Sequence, residues 1–148
     1  MITVKELMGP ELYTLKPTNT VHQARELMLN RHIRHIPIID ESGKFVGLLT
    51  RRDVLAASVS VLADIDNQVR DELEATIPIG KIMVTDIVIA YESTSLLEAA
   101  KFLLQRDYGC LPIFKDKQLT GILTETDFVK LAVHLMEKTA NYENDNKN

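Results

Sequence analysis

The stretch Gly47-Leu48-Leu49-Thr50-Arg51-Arg52-Asp53 occurs a second time, as Gly121-Ile122-Leu123-Thr124-Glu125-Thr126-Asp127. Each copy is a glycine, a short apolar run, a threonine, two variable residues and an aspartate, followed by an apolar-periodic helix pattern. The correspondence extends upstream at a constant spacing of 75 residues: Met8 with Met83, Ala24 with Ala99, Arg31 with Arg106, Pro37 with Pro112 and Ile38 with Ile113. Past the turn near Gly43 the spacing becomes 74, so that Gly47, Thr50 and Asp53 meet Gly121, Thr124 and Asp127. A turn is where a one-residue deletion is tolerated. A chain of 148 residues patterned in this way is one unit used twice, and that constraint precedes any assignment of fold.

Composition narrows the classes. With 45% hydrophobic and 26% charged residues the chain is globular and can bury a core. A net charge of −4 gives no general attraction to nucleic acid or to an anionic membrane, so neither is expected as a partner. No apolar run approaches a membrane span. The start, Met1-Ile2-Thr3-Val4-Lys5-Glu6, lacks the apolar stretch of a secretory signal. Cys110 is the single cysteine, so there is no intrachain disulfide. A cytoplasmic protein is expected.

Val4 to Met8 reads as a short amphipathic turn before the breaker pair Gly9-Pro10. Leu12 to Leu15 reads as a short strand. Thr20-Val21-His22-Gln23 fits a capping box, and Val21, Ala24, Leu27 and Met28 follow at helical spacing. Ser95-Leu96-Leu97-Glu98 starts the matching helix, with Leu96, Ala99, Phe102 and Leu103 on its apolar face. Ile36 to Ile39 and Phe45 to Leu49 predict a hairpin, with Pro37 confined to an edge or strand start because it lacks an N–H. Leu111 to Phe114 and Leu119 to Leu123 repeat it. Each unit therefore reads strand, helix, strand, strand, helix, and two such units must pack together to cover their sheets. The fold class is α/β (α+β). The expected divisions are a first repeat at 1–56, a linker helix at 57–76, a second repeat at 77–138 and a polar, disordered tail at 139–148. The linker carries a stripe of Leu55, Ser58, Leu62, Ile65, Val69 and Leu73, with an interruption expected near Asp64 to Asn67.

Thr-x-x-Asp between a strand and a helix has two meanings. It is a capping signature, the threonine accepting from the third N–H while the aspartate favours the positive end of the helix. The same geometry suits a ligand. A helix N-terminus has free N–H groups and partial positive charge for a phosphate, and a carboxylate accepts two hydrogen bonds from the 2′- and 3′-hydroxyls of a ribose. Capping alone does not account for the glycine in both copies, nor for Arg34 and His35 in the preceding loop. A guanidinium is well shaped for phosphate. Ile36, Val46 and Leu48 would offer an adenine ring an apolar wall.

On these residues the chain resembles a tandem pair of CBS domains, the modules named for cystathionine β-synthase, over about residues 4–136. The resemblance rests on the duplicated element order, the apolar-Pro-apolar strand and the two Gly-apolar-apolar-Thr-x-x-Asp stretches. It implies two repeats packed through their sheets with pseudo-two-fold symmetry, two clefts, and a homodimer. It implies adenosine-containing ligands, chiefly AMP, ADP or ATP and sometimes S-adenosylmethionine or a dinucleotide such as NAD. Carried over residue by residue, the first cleft would use Arg34, His35, Ile36, Thr50, Arg52 and Asp53, with backbone from around Met83 and Val88. The second would use Cys110, Leu111, Thr124, Thr126 and Asp127, with backbone from around Met8 and Tyr13. Gly109 and Cys110 stand where Arg34 and His35 do, and Glu125 replaces Arg51, so the Asp53 cleft is expected to be the stronger nucleotide site.

No catalytic pattern accompanies this. His22, His32, His35 and His134 have no zinc-type spacing, and no GxSxG, Walker loop or GxGxxG is present. No metal and no catalytic cofactor is expected. Two classes of function remain: a non-enzymatic module that senses adenine nucleotides and reports to a protein partner the sequence does not name, or a structural homodimerisation module with vestigial clefts.

Overall fold

The computed structural model describes residues 2–59 and 66–147 of the chain. The chain forms two compact units, one of Tyr13–Ile87 and one of Met1–Leu12 with Val88–Asn148. Leu62 and Ile65 of the linker stripe lie outside the described residues.

In the unit Tyr13–Ile87, helix α2 (Val21–Arg31) precedes a hairpin of β1 (His35–Ile39) and β2 (Phe45–Thr50), and helix α3 (Arg51–Val59) follows. The predicted capping box is formed: Gln23 N–H donates to Thr20 Oγ at 3.2 Å, and Thr20 N–H donates to the Gln23 side chain at 2.9 Å. His32 ends α2 in the left-handed conformation (φ 55). In the hairpin turn, the Ser42 and Lys44 amides donate to Asp40 Oδ1 at 2.9 and 3.0 Å, and Gly43 takes φ +85, a value glycine adopts without strain. Val21, Ala24, Met28, Ile36, Ile38, Leu49, Val54 and Ile79 are the buried core.

The other unit repeats the plan with β3 (Ala90–Tyr91), α5 (Leu96–Gln105), β4 (Cys110–Lys115), β5 (Gln118–Thr124) and α6 (Glu125–Asp145). β3 pairs parallel to β4, and β4 antiparallel to β5. Its core contains Val4, Ala90, Ala99, Leu103, Leu111, Ile113 and Leu123. The duplication is visible in this register: Ala24, Ile38 and Leu49 of one core occupy the places of Ala99, Ile113 and Leu123 in the other.

Compact units and sequence repeats do not coincide. Val4, on the short helix α1 (Val4–Leu7), belongs to the core with Ala99 and Ile113, whereas its counterpart Ile79, on a single 3₁₀ turn (Ile79–Lys81), belongs to the core with Ala24 and Ile38. Each unit is completed by the opening turn of the other repeat.

Two expectations need correction. The strand expected over Leu12 to Leu15 is only a bridge at Leu15, whose N–H donates to Pro37 O and whose carbonyl accepts from Ile39 N–H. In the other unit the ladder continues because Glu92 N–H donates to Phe114 O at 3.0 Å. The residue matching Glu92 is Pro17, which has no N–H, so pairing stops. The interruption expected in the linker near Asp64 to Asn67 is present at Asp66, which is extended and, accepting from Val69 N–H at 2.9 Å, caps a helix α4 (Asn67–Glu74); α3 is described as far as Val59. The tail expected to be disordered instead continues α6 to Asp145. Its Thr139 hydroxyl donates to Leu135 O, and residues 137–145 contain no proline or glycine to stop the helix.

Among the described residues no helix is long and apolar enough to cross a membrane.

Candidate functional site

β2 ends at Thr50 and α3 begins at Arg51, so the duplicated motif lies where an extended chain turns into a helix. Thr50 N–H and Oγ–H donate to Asp53 Oδ2 at 2.8 and 2.9 Å, and Asp53 N–H donates back to Thr50 Oγ at 3.2 Å. The second copy has the same three bonds at 2.8, 3.2 and 3.4 Å between Thr124 and Asp127. The motif is therefore a working helix cap in both units. The cap engages one carboxylate oxygen only. Oδ1 of each aspartate takes no hydrogen bond among the described residues, and it is held in a fixed direction by its bonded twin.

The loop before each hairpin is tied to the same spot. Arg51 N–H donates to Arg34 O at 2.8 Å, and Glu125 N–H donates to Gly109 O at 3.2 Å. His35 stands opposite Thr50 in the ladder, as Cys110 stands opposite Thr124. The structure thus gathers Arg34, His35, Thr50 and Asp53, with Arg52 on the first turn of α3, at one end of the unit Tyr13–Ile87. It gathers Cys110, Thr124, Thr126 and Asp127 at the matching end of the other unit. Met83 packs against Gly47 and Met8 against Gly121, each glycine three residues along the strand from the motif threonine. Val88 and Tyr13 fall in the units opposite to the residue sets they were expected to join.

Ile36, Leu48 and Leu111 are fully buried, so their side chains serve the cores and only their backbone is available to a ligand; Val46 is half-buried. Cys110 is buried too. Burial, and then the negative charge of Glu125, push its thiol well above the ordinary cysteine value. The two ends differ sharply in charge: Arg34, His35, Arg51 and Arg52 at one face Gly109, Cys110, Glu125 and Thr126 as counterparts at the other. Near the first, a cavity of about 320 Å³ opens between α2 and α3, lined by Met28, Leu29, Val54 and Leu55 and by His32, Arg34 and Arg51.

Sequence reasoning missed one buried polar group. Glu74 of α4 is fully buried and accepts from Arg25 Nε and Nη2 of α2 at 2.9 and 2.7 Å, while the Ser58 hydroxyl of α3 donates to it. Burial opposes ionisation of Glu74, but the bonds from Arg25 and Ser58 and the charges of Arg25 and Arg70 outweigh it and hold the carboxyl below its usual value. Nothing in the spacing marks a glutamate in a polar linker as buried. His22, Asp71 and Glu74 bring ligand atoms within 4.8 Å of one another. Arg25 already neutralises Glu74, and Arg70 lies 3.7 Å from Asp71 and 4.0 Å from Glu74, so a cation there would meet two guanidinium groups.

The family model of the CBS domain matches residues 4–60 and again 79–134. The chloroplastic CBS domain-containing protein CBSX1 of Arabidopsis thaliana is 33% identical over 90% of this chain and 65% of its own. This chain thus spans slightly less than two thirds of that relative. YhcV of Bacillus subtilis, another CBS domain-containing protein, is 30% identical over 92% of this chain and 87% of its own. Among solved structures, CBSX2 of Arabidopsis thaliana in complex with AMP superposes with a TM-score of 0.72 at 29% identity, covering 92% of this chain and 99% of that one. With both repeats matched and the fold shared, the chain belongs to the CBS-domain family as a tandem pair.

Proposed function

We propose that this chain is a non-enzymatic sensor of adenosine-containing nucleotides, acting as a homodimer that passes its liganded state to a protein partner. One observation carries this reading. The cap fixes Asp53 Oδ2 and leaves Oδ1 directed and unbonded, beside the loop of Arg34 and His35 and the first turn of α3. A rigid carboxylate edge accepts a ribose diol without paying to order itself, and the neighbouring cations suit AMP, ADP or ATP over uncharged adenosine. The AMP complex of CBSX2 supports the ligand class. Asp127 offers the same edge, but Glu125 and Gly109 replace the cations, so its site is weaker for phosphates. Thermal-shift assays with AMP, ADP, ATP, NAD and S-adenosylmethionine, with GTP as control, test this. Ligand at a hundred times its Kd adds about 2.7 kcal/mol, a shift of several degrees. The expected result is an adenosine-selective shift lost in Asp53→Ala.

A second reading has its own support. Both Thr-x-x-Asp stretches are fully accounted for as helix caps, which is what a purely structural dimerisation module would retain. Absence of a shift with every nucleotide would favour it.

A further inference from the structure

In the unit of Met1–Leu12 with Val88–Asn148, the Tyr108 hydroxyl accepts from Val88 N–H at 3.0 Å. Tyr108 is half-buried in the loop before β4, and Val88 leads into β3. The matching position in the other unit is Ile33, whose side chain has no polar atom. The two loops differ in backbone as well: Gly109 takes φ 70, whereas Arg34 at the matching place does not enter the left-handed region. The bond between Tyr108 and Val88 therefore belongs to one repeat only. A tyrosine hydroxyl accepts and also donates. Among the described residues the Tyr108 O–H has no acceptor, so its proton is unspent.

This hydroxyl sits at the same end of the sheet as the Thr124–Asp127 cap. β3 runs parallel to β4 with Ala90 beside Ile113, so the register carried back two residues sets Val88 beside Leu111. Leu111 stands opposite Leu123, and Cys110 opposite Thr124. The strand order β3-β4-β5 separates the Val88 side from the Thr124 side by two strand spacings, about 10 Å. One side offers a hydroxyl proton, and the other offers the unbonded Oδ1 of Asp127. Between them lie Gly109 and Cys110, and Glu125 opens α6 where the other unit has Arg51. Such an end suits a ligand with hydroxyl donors at one side and a ring acceptor at the other. It disfavours a phosphate, because Glu125 repels an anion and no cation stands in the places of Arg34 and Arg51.

We infer that Tyr108 reads the base of an uncharged adenosine-type nucleoside at this end, its O–H donating to a ring nitrogen while Asp127 Oδ1 accepts from the ribose diol. The inference rests on the adenosine reading above. It adds the ligand class of the Asp127 end and the residue that selects it. Val88 N–H holds the hydroxyl in place before a ligand arrives, so its direction is set without an ordering cost on binding. Ile33 gives the Asp53 end no such donor, and Arg34 and Arg51 favour a phosphate there instead. The two ends of the duplicated chain thus select different parts of related ligands.

Calorimetric titration of the full chain tests this, in an Asp53→Asn background so that the heat comes from the Asp127 end. Adenosine should bind there more tightly than AMP, and Tyr108→Phe should lower adenosine affinity about tenfold. Tyr108→Phe also strips Val88 N–H of its partner, and a loosened loop would weaken every ligand alike. Deazaadenosines that replace N1, N3 or N7 in turn by C–H separate the two effects. One of the three should bind about tenfold more weakly than adenosine while Tyr108 is present, and as well as adenosine in Tyr108→Phe. Equal losses for adenosine and all three analogues in Tyr108→Phe, or an analogue penalty that survives it, overturn the role of the hydroxyl. AMP preferred over adenosine overturns the ligand class. No adenosine binding in Asp53→Asn, with an AMP response in the starting chain that Asp53→Asn removes, overturns this inference and leaves the nucleotide reading standing. No response of the starting chain to any adenosine compound overturns both.

Discussion

The sulfur of Met83 lies 2.8 Å from the point where a Cβ on Gly47 would stand. Met8 makes the same approach to Gly121, at 2.6 Å. The repeats pair each methionine with the other repeat's glycine, and this is the space the motif glycine leaves open. The two sites differ in what else is near. A Cβ at Gly47 would also meet the Val84 carbonyl at 3.0 Å, and that carbonyl is held by reciprocal backbone bonds with Leu48 of 2.8 Å each. At Gly121 only the Met8 side chain intrudes, and a methionine can swing away. Gly47→Ala should therefore cost about 1–3 kcal/mol in urea unfolding, and Gly121→Ala less than about 1 kcal/mol. Equal costs would show that the backbone contact at Val84 does not matter.

How far the sequence speaks for the structure depends on the range of each interaction. The Thr20 and Thr124 caps are local, three residues apart, and are legible from residue type alone. The hairpins are legible too, since Ile36, Ile38, Leu111 and Ile113 repeat with Pro37 and Pro112 in register. What is hidden is long-range. The glycine spacing says that something approaches Gly47 but not that it is Met83. The shortened first strand follows from one missing N–H at Pro17, which matters only once its would-be partner in β1 is known. The continuation of α6 to Asp145 is hidden because the polar composition of its last turns resembles that of a disordered tail, while the segment contains no helix breaker.

Capping and ligand binding at Asp53 can be separated by substitution. Thr50→Ala and Thr124→Ala each remove a cap and should destabilise the nucleotide-free protein by about 1 kcal/mol. Asp53→Asn keeps an oxygen acceptor for Thr50 N–H, so its stability should change less. It loses the charged diol acceptor, and AMP affinity should fall roughly tenfold or more by calorimetric titration. Asp127→Asn should leave the stronger site intact. Unchanged AMP binding in Asp53→Asn, with binding lost in Asp127→Asn, would reverse the assignment of the two sites.

The clasp of Arg25, Ser58 and Glu74 sets an acid limit on stability. The Glu74 carboxyl is depressed below its reference value of 4.5 in the folded state, so the unfolded chain binds more protons there. Its contribution is complete above the unfolded value and is lost as pH falls through the lower, folded one. Unfolding free energy measured from pH 6 down to pH 3 should decline, and the decline should be shallower in Glu74→Gln. Glu74→Ala leaves Arg25 half-buried without its partner and should cost about 3 kcal/mol at pH 7, whereas the pair replacement Arg25→Met with Glu74→Leu should recover most of that loss. A pH profile identical in Glu74→Gln would mean that other carboxylates govern acid unfolding.

Cys110 should behave as a reporter of opening rather than as a reactive thiol. The thiolate is the nucleophile, and two features oppose it: the side chain is fully buried, and Glu125 on the first turn of α6 adds negative charge beside it. Burial is the larger effect. Glu125→Gln should therefore leave native-state labelling by a thiol reagent at pH 8 nearly as slow as before, provided dimer state is held constant. Labelling of the native protein should be about 10³-fold or more slower than in denaturant, because it waits for the β4–β5 ladder opposite Thr124 to open. Gly121→Ala, which crowds β5 against Met8 in the same unit, should speed it, and Gly47→Ala, in the other unit, should not. If Gly47→Ala sped labelling as much as Gly121→Ala, Cys110 would be exposed only when both units open together.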